Sequence, residues 1–217
     1  MVMSRNVCLV GMMGVGKTTV AAIVGDRLGR RVADTDEEIR NWTRSSIPEL
    51  FEARGEAGFR ELERQVVEEL ATFHDLVVSL GGGAVLRDDT VASLLLSGVI
   101  IHLDVPPDEL VRRLAGGDDR PLLAGNLKEQ VYATHAARDA RYRAVADITI
   151  DASVPAADVA EAVIAWSLAQ GDVLTPSEHE QVMTGTVVTE EDAREGVVIE
   201  SADLRGNAPG GPDGAGR

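Results

Sequence analysis

A chain of 217 residues, 44% hydrophobic and only 3% aromatic, can form one domain whose core is built of Val, Leu, Ile and Ala. Its formal net charge of −15 creates a negative field that argues against nucleic acid and anionic membrane surfaces as partners. Any anion site must therefore be made locally positive. Cys8 is the single cysteine, so an intrachain disulfide is excluded and a reducing, cytoplasmic setting is expected, with the thiol buried and inert. No apolar stretch reaches the length of a membrane span, and the short apolar start does not read as a signal peptide.

In chain order, residues 6–10 read as a strand and 16–29 as a helix that Gly29 ends. Between them lies Gly11-Met12-Met13-Gly14-Val15-Gly16-Lys17-Thr18, the G-x-x-x-x-G-K-T pattern of a phosphate-binding loop in its required strand–loop–helix setting. Glycines let the loop turn its amides inward onto a polyphosphate, and the helix adds its positive end. Gly14, Val15, Gly16, Lys17, Thr18 and Thr19 form that cradle, with Lys17 reaching the β- and γ-phosphates and the Thr18 hydroxyl ligating Mg²⁺. The chain has 19 arginines and two lysines. That one lysine stands here, where a compact ammonium suits a point contact, strengthens the assignment of a nucleoside triphosphate site.

Further along, Arg31–Asp34 is a short strand leading into Asp34-Thr35-Asp36. Helical pieces follow near Glu37–Asn41 and Ile47–Ala53, the second with Ser46 as N-cap and Pro48 in its first turn. Apolar residues Phe59, Leu62, Val66 and Leu70 recur at helical spacing between Glu56 and Thr72. A buried-type strand, Leu76–Leu80, ends at Gly81-Gly82-Gly83. Then come a helix near Asp89–Leu96, a strand Val99–Leu103, a helix from Pro107 to about Leu114, a helix over Leu127–Val145, a strand Ile148–Ile150 and a helix Ala156–Ala169. Strands alternating with helices predict βαβ units and a parallel sheet covered on both faces. Beyond Gly171, ten acids stand against three arginines. Residues 1–170 are therefore expected to form the domain and 171–217 a flexible acidic tail.

Taken together, the phosphate loop, Asp34-x-Asp36, Gly55-Glu56-x-x-Phe59-Arg60-x-x-Glu63, Gly81-Gly82-Gly83, Arg120-Pro121-Leu122-Leu123 and Arg138-x-x-x-Tyr142 resemble the shikimate kinase family over about residues 5–168. The resemblance implies a three-layer α/β P-loop kinase fold, with a five-stranded parallel sheet and a mobile lid. It also implies a monomer that uses ATP and Mg²⁺ to phosphorylate the 3-hydroxyl of shikimate, on the route to chorismate and the aromatic amino acids. By similarity Asp34 holds a Mg²⁺-bound water and Asp36 orients the acceptor hydroxyl, or takes its proton. Arg60 and Arg138 hold the acceptor carboxylate, and Gly81, Gly82 and Gly83 bring backbone against it. Arg113 stacks on the adenine, and Arg120, on a lid over Gly116–Asn126, stabilises the transferring phosphoryl group.

The residues themselves leave other readings open. Asp34 or Thr35 suits a helix N-cap, Arg60 an ordinary ion pair with Glu63, and Arg113 and Arg138 solvated faces. Phe51 and Phe59 suit either a ring wall or the core. The four histidines lack ligand spacing, so none is assigned to a metal. Two positions depart from the family pattern: Arg44-Ser45-Ser46-Ile47 lacks a glycine, and no arginine stands near residue 153. The rivals are another small-molecule kinase of this fold, acting on gluconate or a nucleotide, and an ATP-binding module whose acidic tail docks a partner.

Overall fold

Five parallel strands, β1 (Asn6–Val10), β2 (Arg31–Asp34), β3 (Leu76–Ser79), β4 (Gly98–Asp104) and β5 (Ile148–Asp151), form one sheet in the order β2-β3-β1-β4-β5. The computed structural model describes residues 4–115 and 126–184. Central strands β1 and β3 are buried throughout, whereas edge strands β2 and β5 each have two or more residues open to solvent. That follows from the parallel arrangement: helices cover both faces, so inner strands are apolar runs such as Val-Cys-Leu-Val. Burial pushes the Cys8 thiol up to about 12, which makes it inert.

The helices are α1 (Lys17–Leu28), α2 (Thr35–Thr43), α3 (Ile47–Leu70), α4 (Asp88–Ser97), α5 (Pro107–Ala115), α6 (Leu127–Val145), α7 (Ala156–Gln170) and α8 (Pro176–Thr184). Val67 and Leu70 of α3 and Leu94 of α4 meet Cys8 on one face of the sheet. Helices α1 and α7 pack on each other. The two helices expected over 47–53 and 56–72 adjoin within α3 at Gly55, whose φ of 66° and ψ of −179° are non-helical and break it into two pieces. Ser46 caps it in a reciprocal box: its amide donates to Glu49 Oε2 at 2.8 Å, and its Oγ accepts from the Glu49 amide at 3.4 Å.

The missing glycine after α2 has a structural consequence. Arg44 closes that helix with φ 57°, a left-handed conformation, which glycine enters freely and a residue with a Cβ does not.

The expected boundary at residue 170 falls short. Residues 171–184 continue the fold: Val173 and Leu174 are buried, and α8 packs against α1. Glu178 is the cause. Its carboxylate accepts from Arg30 Nε at 2.6 Å and Arg30 Nη2 at 2.9 Å, while Arg30 also donates to the carbonyls of Arg5 and Val173. Thr175 and Glu178 form a second capping box, Thr175 N–H donating to Glu178 Oε2 at 2.6 Å and Glu178 N–H to Thr175 Oγ1 at 3.2 Å. Thr175-Pro176-Ser177-Glu178 was a readable start signal, a T-x-x-E box with proline at the first helical position. The acidic composition around it masked the signal. Residues 185–217 lie outside the described residues.

Glu178→Ala leaves the Arg30 guanidinium buried without its counter-charge, so a loss of about 3–5 kcal/mol is expected in urea unfolding. Arg44→Gly relieves the left-handed strain and is expected to raise stability by about 1 kcal/mol, read in the same titration.

Candidate active site

The site lies at the carboxyl ends of β1, β2 and β3, where open α/β sheets place their ligands. Its first wall is the loop after β1. Gly14 and Gly16 have φ of 84° and 104°, conformations that let the backbone turn its amides inward. Lys17 arches under the loop, its ammonium donating to the carbonyls of Gly11 at 2.9 Å and Met12 at 3.0 Å. Burial lowers its pKa to about 8, opposed by the nearby carboxylates of Asp36 and Asp34. Thr18 and Thr19 open the first turn of α1 and are exposed, and the Val15 side chain is buried beneath the loop.

The Thr18 hydroxyl donates to Asp34 Oδ2 at 2.9 Å and lies 3.3 Å from Ser79 Oγ. Asp34 is the helix N-cap that one reading offered, and its other oxygen faces the phosphate loop. Its Oδ1 caps α2, accepting from the amides of Asp36 at 3.1 Å and Glu37 at 3.3 Å, while Oδ2 faces Thr18. Hydroxyl and carboxylate oxygens form the hard donor set that suits Mg²⁺. Ser79 belongs to this cluster and was missed from sequence; its place at the end of a buried strand, just before the glycines, was the available signal.

Asp36 does not prolong the strand that ends at Asp34. Helix α2 begins at Thr35, so Asp36 stands in its first turn. The strand-to-helix bend, rather than strand alternation, puts both carboxylates on one side. Partial burial and the Asp34 charge push the Asp36 pKa up, against the pull of Lys17.

The triple glycine forms the floor, and Gly81 and Gly83 have neighbours that leave no room for a Cβ. A Cβ on Gly81 would lie 2.5 Å from Glu63 Oε1 and 3.0 Å from Asp36 Oδ1. One on Gly83 would overlap the Arg60 guanidinium. At Gly82 the nearest atoms include Arg138 Nη1, which donates to the Gly82 carbonyl at 3.2 Å. None of the three has a left-handed φ; Gly81 and Gly83 are there for space rather than for backbone conformation. Since consecutive Cα atoms are about 3.8 Å apart, Arg60 and Arg138 border neighbouring residues of one short strip.

Arg60 is fixed by Glu63, Nη1 to Oε2 at 2.7 Å, and lies 5.4 Å over the Phe59 ring. Glu63 is itself buried, and burial raises its pKa. Its Oε1 is the one buried side-chain oxygen or nitrogen among the described residues with no hydrogen-bond partner. A buried ion pair with an unsatisfied atom facing the glycines is unlike a surface pair. Arg138 is no solvated face either, because Tyr142, buried beside it, donates its hydroxyl to the same Gly82 carbonyl. Phe59 is buried and stacks on half-exposed Phe51 with ring centroids 4.5 Å apart, so the first is core and the second rim.

Arg113 bridges two loops, donating to the carbonyls of Val15 at 3.0 Å and Ala152 at 2.8 Å, and to Glu109 at 2.8 Å. These bonds use the edges of the guanidinium and hold its plane against the phosphate loop. The reading of a free, solvent-facing arginine is thereby corrected. Arg120 and segment 116–125 lie outside the described residues. A further cluster escaped the sequence reading: ligand atoms of His102, Asp104 and Asp139 lie within 4.8 Å of one another. Arg143 donates to both carboxylates and already supplies their counter-charge.

Comparison with known proteins places the chain in a family. The family model described as shikimate kinase matches residues 13–167. The chain belongs to the shikimate kinase family. It is 52% identical over 115 residues to a shikimate kinase of Synechococcus elongatus, a match that covers 53% of this chain and 60% of that protein's length. To the shikimate kinase of Nitrosococcus oceani it is 40% identical over 146 residues, covering 67% of this chain and 77% of the relative. A solved structure, the shikimate kinase from Acinetobacter baumannii in complex with shikimate, superposes with a TM-score of 0.72 at 36% identity, covering 77% of this chain and 94% of that one. The five-stranded parallel sheet flanked by helices is thus the fold of shikimate kinases. No helix among the described residues is long and apolar enough to cross a membrane.

For a family member that binds polyphosphate through Lys17, the depressed pKa has a visible effect. Below about pH 8 the ammonium is charged and available; above it the proton is lost from the free protein and must be regained on binding. ATP affinity, measured by calorimetry, is expected to be flat below pH 8 and to fall by up to about tenfold per pH unit above it.

Proposed function

We propose that this protein transfers the γ-phosphoryl group of ATP to the 3-hydroxyl of shikimate, on the route to chorismate. The observation that supports this reading best is the convergence of Asp36, Arg60 and Arg138 on Gly81–Gly83, beside the Thr18–Asp34 pair. Two guanidiniums bordering one strip of backbone suit a carboxylate, which each can grip through paired N–H donors. A carboxylate with a raised pKa across from them suits a hydroxyl that must be oriented and relieved of its proton.

The roles follow from position. Gly14, Val15, Gly16, Lys17, Thr18 and Thr19 hold the donor phosphates through amides, ammonium and hydroxyl. Thr18 and Asp34 are the residues that would hold Mg²⁺, which when bound neutralises charge on the phosphates and fixes their geometry. Arg60 and Arg138 seat the acceptor carboxylate, and the unpartnered Glu63 Oε1 is placed to accept from an acceptor hydroxyl or a bridging water. Asp36 hydrogen-bonds the attacking hydroxyl and takes its proton as the new O–P bond forms. Arg113, its plane set by Val15 and Ala152, offers a face to the adenine, and Arg120 is assigned to the transferring phosphoryl group. Transfer is direct and in line, so catalysis rests on positioning and electrostatics rather than on an enzyme nucleophile. The proposal includes a cytoplasmic monomer, consistent with the single buried thiol.

A coupled assay of ADP release tests the reaction. Turnover is expected with shikimate and not with gluconate or nucleoside monophosphates; ATP turnover indifferent to shikimate would sink the assignment. Asp36→Asn is expected to lower kcat by about 10²–10⁴-fold while leaving ATP binding within a few-fold. Because the Asp36 pKa is raised, the acid limb of the wild-type profile should lie above the ordinary aspartate range.

A further inference from the structure

The hydrogen bonds around the triple glycine divide unevenly. The Gly81 carbonyl accepts from the Ala84 amide and the Gly83 carbonyl from the Leu86 amide, each at 3.1 Å, while the Gly81 amide donates to Thr35 Oγ1 at 2.8 Å. Among the described residues the Gly82 carbonyl has no backbone donor. It accepts instead from two side chains of α6, Arg138 Nη1 at 3.2 Å and the Tyr142 hydroxyl. The amides of Gly82 and Gly83 have no acceptor among the described residues, although Gly83 is buried. Buried amides are almost always paired, so one left open between Arg60 and Arg138 is a donor kept for a ligand.

We propose that Tyr142 is a positioning residue for the acceptor, its hydroxyl fixing the Gly82–Gly83 peptide and with it the direction of the Gly83 N–H; this rests on the acceptor site proposed above. A planar trans peptide points its N–H opposite to its carbonyl. Holding the Gly82 carbonyl toward α6 therefore turns the Gly83 N–H away from that helix. Neither glycine has a Cβ to resist rotation, so the peptide between them needs an external hold. Arg138 is a poor one by itself, because its bond is at the long end of the range and the same guanidinium is to receive an anion. A carbonyl has two acceptor sites, and the hydroxyl keeps one of them filled when Arg138 turns to a ligand. Tyr142 is itself well fixed. Its buried ring stacks on His102 with centroids 5.1 Å apart, and the adjacent Arg141 ties α6 to the same loop by donating to the Val85 carbonyl at 2.8 Å. Burial raises the Tyr142 pKa and lowers that of His102, so near neutral pH the phenol stays a donor and the ring it stacks on stays uncharged.

Tyr142→Phe removes the hydroxyl and keeps the ring. The freed peptide then spends part of its time turned, and acceptor affinity falls with the fraction still correctly oriented. KM for shikimate is expected to rise by about five- to tenfold, the worth of one hydrogen bond. Bound acceptor restores the orientation, so kcat should stay within about threefold, and KM for ATP within about twofold because the phosphate loop is untouched. KM for shikimate unmoved, or both KM values raised together as a general loosening would raise them, overturns the proposal. The peptide is also read without substrate, by NMR relaxation dispersion on the intact chain labelled at its glycine nitrogens, which reports microsecond-to-millisecond exchange. The Gly83 amide is expected to show that exchange in Tyr142→Phe and not in the wild type; the same behaviour in both overturns the positioning role. A wild type without shikimate-dependent turnover removes the function proposed above instead, and the NMR comparison then decides by itself whether Tyr142 holds the peptide.

Discussion

Parallel pairing on both sides of β1 is the interaction on which the site depends. β1 is bonded along its length to β3 and β4, and the β1–β3 ladder runs one step beyond the strands, Leu80 N–H to Leu9 C=O at 3.0 Å. That last bond ties the approach to the phosphate loop to the approach to the triple glycine. It brings Thr18 within reach of Ser79, and the phosphate-loop motif beside the triple glycine. Ladder bonds buried between two helical layers do not yield to water, so the two half-sites keep their relative position.

On that frame the chain arranges its charge unevenly. The molecule is strongly acidic, yet the working cleft gathers Lys17, Arg60 and Arg138. Each cation is held by something other than the substrate: Lys17 by two loop carbonyls, Arg60 by Glu63, Arg138 by the Gly82 carbonyl. Fixed donors of this kind need little reorganisation when an anion arrives, which is where preorganised sites gain most. The acids are tuned by the same proximity. Asp36 lies between burial and Asp34, which raise its pKa, and Lys17, which lowers it, so its protonation depends on the phosphate loop as well as on its own helix.

The far end of the molecule shows another use of a buried charge. Arg30 and Glu178 close against each other beneath α8, with the guanidinium also satisfied by two carbonyls. A pair so fully bonded adds little net stability over apolar packing, but it specifies one docking register for the C-terminal segment.

How much could be read from the chain alone divides by range. Local signals were sufficient for the strand–loop–helix of the phosphate loop, for nearly every element and for the Ser46 cap, because period, caps and glycines act within a few residues. The order of motifs was sufficient for the family. Local reading failed where a competing signal of the same range hid the answer, as acidic composition hid the Thr175–Glu178 box. It also failed where two residues far apart in the chain decide the outcome. That Asp34 serves as cap and hydroxyl acceptor at once, that Ser79 joins Thr18, that Glu63 keeps one oxygen unpaired, and that Gly81 and Gly83 are glycines to admit Glu63 and Arg60, all follow from sheet order. Residues tens of positions apart meet only after the strands have paired, and spacing along the chain contains no record of that distance.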